Sequence, residues 1–428
     1  MSFRDDADAL THPAPQAPAN AWQVFWVFLK LGLTSFGGPV AHLAYFREAF
    51  VVRHRWLSEH DYAHLVALCQ FLPGPASSQV GMALGLMQAG YRGALAAWLG
   101  FTLPSALALI ALAMGLSHWQ SPWATGALHG LKLVAVPIVA HAVWGMARSL
   151  CPDTPRRVLA LAAAALLWWW PGLWAQWVVL AVSGGVAWMG WRALGWTPVV
   201  PPAGQPTAAP ETASVMSAPR HLPSRRGSLA WLGLFVLGLG ALPVLSHQAE
   251  TWAVVNAFYR AGALVFGGGH VVLPLLQAEL VPTGWMDTTT FLAGYGAAQA
   301  VPGPLFTLAA FLGASSAMGP GGWWGGLLAL VAMFVPAFLV LVAALPWWHA
   351  LRRQTAALVV LAGVNAGVVG LLLAALVHPV ASSALRSGTD VVIAVLLVLA
   401  LFVGRWPAWV VVLLSALMGA AAVRWLPL

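Results

Sequence analysis

Charge is what this chain has least of. Lys, Arg, Asp and Glu together make up 7% of its 428 residues, against about a quarter in an ordinary soluble domain. Acidic residues are scarcer than basic ones, 12 against 20, and only two of the cations are lysines, Lys30 and Lys132. No apolar stretch holds a pair of carboxylates, and no His-Glu-x-x-His, P-loop or Ser/His/Asp set occurs. These absences argue against a membrane enzyme and against an ATP-driven pump within this chain. They also leave no resident metal or cofactor to expect. Cysteine is nearly missing too. Cys69 and Cys151 lie too far apart for a metal motif, and nothing implies a disulfide. Cys69 reads as a small packed residue, since its counterpart in the repeat described below is Ala298.

In place of charge there is hydrocarbon. Sixty per cent of the residues are hydrophobic, and apolar runs of roughly membrane-spanning length recur from residue 22 onward. The chain is therefore expected to be an all-α polytopic membrane protein with the lipid bilayer as its solvent. The net charge of +8 comes from arginines placed mostly between apolar runs. That is the distribution of the positive-inside rule and not of a nucleic-acid-binding face.

One stretch is written twice. Gln70-Phe71-Leu72-Pro73-Gly74-Pro75 returns 229 positions later as Gln299-Ala300-Val301-Pro302-Gly303-Pro304. Phe36-Gly37-Gly38-Pro39 returns after 230 positions as Phe266-Gly267-Gly268-Gly269, and in that register Lys30 falls on Arg260 and Gly32 on Gly262. Trp56 matches Trp285, and Gly130 matches Gly363. Each unit thus carries two Gly/Pro breaks inside apolar sequence. Such breaks free backbone N–H and C=O groups, which lipid cannot satisfy, so they are tolerated where they line a cavity or a ligand site.

The organisation expected is a tail over 1–20, a first unit over 21–192, a Pro-rich basic linker over 193–228 and a second unit over 229–428. Segment 229–246 has no partner in the first unit and serves as an extra crossing helix. The arginines favour nine full spans and four re-entrant hairpins, at 22–46, 62–90, 252–278 and 289–317, over thirteen full spans. Either count puts an odd number of crossings between equivalent elements and makes the fold an inverted-topology tandem repeat. Gly74 and Gly303 are then expected to approach each other near the midplane.

Leu31-Gly32 through Pro39, the Gln70-to-Pro75 motif, Phe266 through His270, and Gln299-to-Pro304 resemble the chromate ion transporter family in its long two-domain form. The resemblance runs from about residue 22 to about residue 380. It implies export of chromate, a sulfate-like dianion, across the bacterial inner membrane, and with it chromate resistance. Gly269 stands where Pro39 stands in the first unit, so the halves are not interchangeable there.

The residues support an anion site on their own terms. Pro39 and Pro75 suit the first position of a restarting helix, as does Pro304. The N–H groups that follow are unpaired and carry the positive end of the helix dipole. Glycines 37, 38, 74, 267, 268 and 303 permit the turns; the bland alternative is that they only let helices pack closely. Lys30 and Arg260 each precede a Phe-Gly-Gly break by six residues, with no carboxylate expected within reach, since Glu48 and Glu279 sit at the far ends of their segments. They are read as the cations compensating a bound dianion, with snorkelling to the interface as the alternative.

Gln70 and Gln299 are read as amide donors to the anion, or to backbone groups freed by proline. His42, one turn past the first break, and Lys132 are secondary candidates. His129 and His141 could carry protons, or simply bond backbone carbonyls. A passive oxyanion channel or a sulfate transporter would share all these features. The choice between monomer and homodimer is open.

Overall fold

The computed structural model describes residues 19–118, 121–170, 172–196, 224–347 and 354–422. These residues form helices and connecting turns, with no strand among them. Most of the expected tail and linker, and Arg352 and Arg353, lie outside the described residues. The helices are α1 (Ala21–Thr34), α2 (Gly38–Arg47), α3 (Glu59–Phe71), α4 (Ala76–His118), α5 (Pro122–Leu133), α6 (Ala135–Leu150), α7 (Thr154–Trp169) and α8 (Leu173–Leu194). There follow α9 (Arg225–Leu245), α10 (Glu250–Leu264), α11 (Val272–Leu280), α12 (Thr288–Ala300), α13 (Leu308–Ser315), α14 (Gly322–Ala344), α15 (Thr355–Ala375), α16 (Gly388–Phe402) and α17 (Ala408–Ala422).

Local chemistry starts many of these helices where they start. Asn20 caps α1 and closes a capping box with Gln23, and Ser387 does the same for α16 with Asp390. Ser58, Ser121, Asp153, Ser224 and Asp287 cap α3, α5, α7, α9 and α12. Each cap satisfies an N–H that the helix leaves without an internal acceptor.

Six stretches are long and apolar enough to cross a bilayer: Ala76–Leu116, Pro122–Leu150, Trp174–Leu194, Arg225–Leu245, Gly322–Trp347 and Thr355–Ala384. The other three segments expected to span appear as shorter helices, α7, α16 and α17, of 16, 15 and 15 residues. Leu229, Val236 and Leu237 on α9 and Val392 and Leu396 on α16 are more than half exposed. Apolar faces of that kind are stable against lipid and costly against water.

The chain doubles back at its breaks. Phe28 and Phe46 flank the first break, and their ring centroids stand 5.6 Å apart. Arg260 and Glu279 flank the third break and form an ion pair at 3.4 Å. The Phe311 ring covers Gly294 across the fourth. Residues 17 to 19 positions apart would stand about 25–29 Å apart along one straight helix. Each unit then adds a long helix: α4 bends at Ala89 and Gly90 before running on through Pro104, and α14 carries Pro336.

Packing between the units is reciprocal. Helix α5 of the first unit lies along α17 of the second, and α15 of the second lies along α7 and α8 of the first. Gly130 on α5 meets Ser415 on α17, whose hydroxyl donates to the Gly130 carbonyl at 2.8 Å. Its repeat partner Gly363 on α15 meets Ser183 on α8. The duplication in sequence is therefore an exchange of helices in space, each unit completing the core of the other.

Candidate site at the paired helix breaks

The four breaks are stitched together by backbone hydrogen bonds across the two units. Gly74 N–H donates to the Val265 carbonyl at 2.7 Å, and Gly303 N–H donates to the Ser35 carbonyl at 2.9 Å. Val265 and Ser35 each immediately precede a Phe-Gly-Gly sequence, so the two bonds are equivalents under the repeat. Gly74 and Gly303 were expected to meet each other; instead each bonds the opposite unit's first break. Their N–H groups are thereby committed to carbonyls. The donors available at these ends are those of the residues that follow.

All six break glycines take positive φ, from 76° at Gly267 to 141° at Gly268, the region where a side chain is strained. A Cβ on Gly74 would stand 2.8 Å from Ala337 Cβ, and one on Gly303 would stand 2.9 Å from Ser105 Oγ. A Cβ on Gly269 would lie 3.5 Å from Pro39 Cγ, so the proline ring of one unit covers bare backbone of the other.

Several polar side chains around this junction each leave an atom unpaired. Of ten buried side-chain N and O atoms lacking a hydrogen bond, seven adjoin the breaks: Ser35 Oγ, His42 Nε2, Ser78 Oγ, Gln79 Oε1, Thr102 Oγ1, Gln299 Nε2 and Asn365 Oδ1. An unpaired buried polar atom costs about 1–3 kcal/mol, and these seven come from both units. Gln79 Nε2 bonds the carbonyls of Pro73 at 2.9 Å and Ala337 at 3.2 Å, pinning the second break to α14. His42 is fully buried, with Nδ1 3.4 Å from Ser77 Oγ and its ring edge-on to Phe101. In the second unit His270 Nδ1 lies 2.7 Å from the Tyr295 hydroxyl.

Sequence reasoning missed Ser35, Ser77, Ser78, Gln79, Thr102, Tyr295 and Asn365. The Ser-Ser-Gln that follows Pro75, and His270 beside its glycines, were the available signals.

Two expectations about charge need correction. Arg260 is not without a carboxylate: α10 and α11 fold back on each other and bring its Nη2 to 3.4 Å from Glu279 Oε1, with Trp177 against the guanidinium. Distance along the sequence hid this pair. Lys30 is exposed, on a flank it shares with Thr34 and Gly37, and is not a buried cation. Gln70 is likewise exposed, whereas Gln299 is not. Lys132 is 4% exposed, on α5, near Asp390, Asp287 and Arg386. His129, one turn earlier, places Nε2 2.8 Å from Asp390 Oδ1. His141 stacks edge-on with Phe402.

Both cysteines are buried and free. Among the described residues no group of three or more His, Cys, Asp and Glu is placed to hold a metal ion. A surface cavity of about 500 Å³, lined by Trp144, Ala147, Arg148 and Arg157, lies at the junction of α6 and α7 and not at the breaks. Outside the spans, Asp153 and Asp287 are held below the ordinary carboxylate range. Partial burial alone would raise both, but hydrogen bonds from Arg156 to the first and from Thr289 and Thr290 to the second outweigh it.

The chain is similar to proteins of known name along most of its length. It is 28% identical over 377 residues to the chromate transport protein of Pseudomonas aeruginosa, covering 85% of this chain and 82% of that one. It is 26% identical over 368 residues to the chromate transport protein of Cupriavidus metallidurans, covering 86% and 84%. A probable chromate transport protein of Synechococcus elongatus is 26% identical over 349 residues, covering 80% of each. No solved structure matches. The family model for chromate transporters matches residues 22–189 and again 252–420, once for each unit of the exchanged-helix fold, and the chain belongs to the chromate transporter family.

Proposed function

We propose that the protein exports chromate from the cytoplasm across the bacterial inner membrane, conferring chromate resistance, and binds the anion where the four breaks meet. The observation that carries this reading is the cluster of unpartnered polar atoms contributed by both units. Hydroxyls of Ser35, Ser78 and Thr102, the His42 ring and the Gln299 amide can all donate hydrogen bonds to oxyanion oxygens. The first turns of α2, α4, α11 and α13, after Gly38, Gly74, Gly268 and Gly303, add backbone N–H groups and the dipole.

Lys30, on the exposed flank leading to Gly37, draws the anion toward the first break. Arg260 supplies charge while tethered to Glu279. The doubled-back helices re-enter the membrane from opposite faces, with the units inverted about an axis in the membrane plane, as the odd number of crossings requires. Sulfate, of the same shape and charge, is the competing ligand.

Outward movement needs no nucleotide. An inside-negative potential of 100 mV favours export of a dianion by about 4.6 kcal/mol, twice the value for one charge. The test is thermal stabilisation of the purified protein by chromate, sulfate and phosphate in parallel, followed by flux in vesicles. Stabilisation by chromate that is lost in Ser78→Ala and Thr102→Val is the expected result. Equal melting with and without all three anions would remove the site. Flux that never exceeds the imposed electrochemical gradient would mean passive movement, as through a channel.

A further inference from the structure

A second set of ionisable groups meets where α5 of the first unit packs against the capped start of α16 in the second. His129 on α5 meets Asp390 on α16 at 2.8 Å, with side-chain exposures of 25% and 6%. The other Asp390 oxygen accepts the backbone N–H groups of Arg386 at 3.1 Å and Ser387 at 3.0 Å. Lys132, one turn beyond His129, is almost fully buried and has no carboxylate within 4 Å among the described residues, yet lies within electrostatic range of Asp390. The remaining charges facing this place are Arg386 and Asp287, the latter at the start of α12; α17, packed along α5, brings none.

The pair joins the two units, since His129 and Lys132 belong to the first and Asp390 to the second. It also occurs once. In the register that matches Gly130 to Gly363, His129 falls on Ala362 and Lys132 on Asn365. Aligning α16 with α7 at their caps, Ser387 with Asp153, puts Arg156 where Asp390 stands. A contact needed only to assemble exchanged helices would recur in both halves, as the Gly–Ser packing does.

We infer that His129 and Asp390 form the proton-binding site that couples this transporter to the proton gradient, an inference that rests on the transport reading above. With a proton on His129 Nε2, imidazolium and carboxylate pair across the two units. When that proton leaves to water, the Asp390 carboxylate faces a neutral ring, and the cations left around it are Arg386 and Lys132, the latter one helical turn along α5. Exchange of Asp390 between His129 and Lys132 shifts α16 against α5 by one turn, a discrete two-position element of the kind that moves packed helices past each other. Protons taken up outside and released inside then drive the oxyanion outward.

The test uses the full chain in liposomes with potential clamped at zero by potassium and valinomycin. Imposing one pH unit across the wild-type membrane should accumulate chromate against its gradient, about tenfold for each proton exchanged. His129→Gln and Asp390→Asn should lose this accumulation while chromate-for-chromate exchange continues within threefold of wild type. Asn keeps the acceptor that caps α16, so the second change removes charge and leaves the helix start.

A wild-type measurement stands apart from any variant: chromate binding in detergent should release protons, read as a binding heat that depends on the buffer. Accumulation that persists in both variants, or heats independent of buffer, would overturn the proposal. Exchange that runs in the wild type without responding to pH would overturn this proposal and spare the transport reading. Absence of exchange with any oxyanion would remove both.

Discussion

In the first unit the helix after the Gly-Gly break carries His42 against Ser77, and the helix after Pro-Gly-Pro opens with Ser-Ser-Gln. In the second, His270 sits beside the glycines themselves and bonds Tyr295, while Pro-Gly-Pro is followed by a 3-10 turn of Leu-Phe-Thr. The scaffold around them is shared: two cross-unit N–H···O bonds, two Gly–Ser contacts, two proline-bearing long helices. What duplicates is what folds the molecule; what differs is what a ligand or a proton would touch. Two identical units would make a site symmetric about its axis. A carrier that distinguishes inside from outside gains by breaking that symmetry in its polar groups alone.

The largest effects should come from breaking what the halves share. Gly74→Val and Gly303→Val each force a β-branched side chain into positive φ against Ala337 and Ser105. Each should cost about 3 kcal/mol or more through strain and overpacking, seen as lost membrane yield and lost flux together. Tolerance of one and not the other would show that the two cross-unit bonds are not equivalent.

Next comes a pair that the sequence aligns and the structure separates. Arg260→Gln leaves Glu279 without its cation in a partly buried place and should weaken anion binding and stability by about 2–3 kcal/mol. Lys30→Gln, at an exposed position, should change binding affinity less than about threefold, its effect confined to association and erased by salt. Equal losses in chromate affinity from both would restore the two to equal roles. Between these extremes, Tyr295→Phe should cost about 1–2 kcal/mol by stranding His270, measured as chromate affinity against melting temperature.

The helices and the breaks were legible because both leave strong local marks: long apolar runs, and Gly/Pro sequences repeated in register. The hairpin ends fell within a few residues of the helices now seen, 22–46 against Ala21–Thr34 and Gly38–Arg47. What stayed hidden depends on contacts between residues far apart in the chain. Glu279 is 19 positions from Arg260 and reaches it because the break turns the chain around. Asp390 is 261 positions from His129, on a helix that alone reads as another apolar segment with a capped start. Ser35, Ser78 and Thr102 are small polar residues of a kind that helices tolerate anywhere, and only their burial without partners distinguishes them.

The smallest expected effect sharpens the comparison at the equivalent starts of α7 and α16. Both starts bury a charged residue at their third position, Arg156 in one and Asp390 in the other. Arg156 is met by its own cap: its Nε donates to Asp153 Oδ2 at 2.7 Å, within a single unit. Asp390 instead reaches across to the other unit. Asp153→Asn preserves the cap and removes only the charge, so it should cost about 1 kcal/mol of stability at neutral pH and leave transport untouched. The sign of its pH dependence follows from the direction of the shift. Asp153 titrates below its ordinary 3.8 in the folded protein, so its contribution is fully present above that value and is lost as pH falls through the lower folded one. Melting curves of wild type and variant should therefore differ at pH 7 and converge below about pH 3. A gap that persists in acid would mean that the variant had disturbed the helix start itself, and not an ion pair local to one unit.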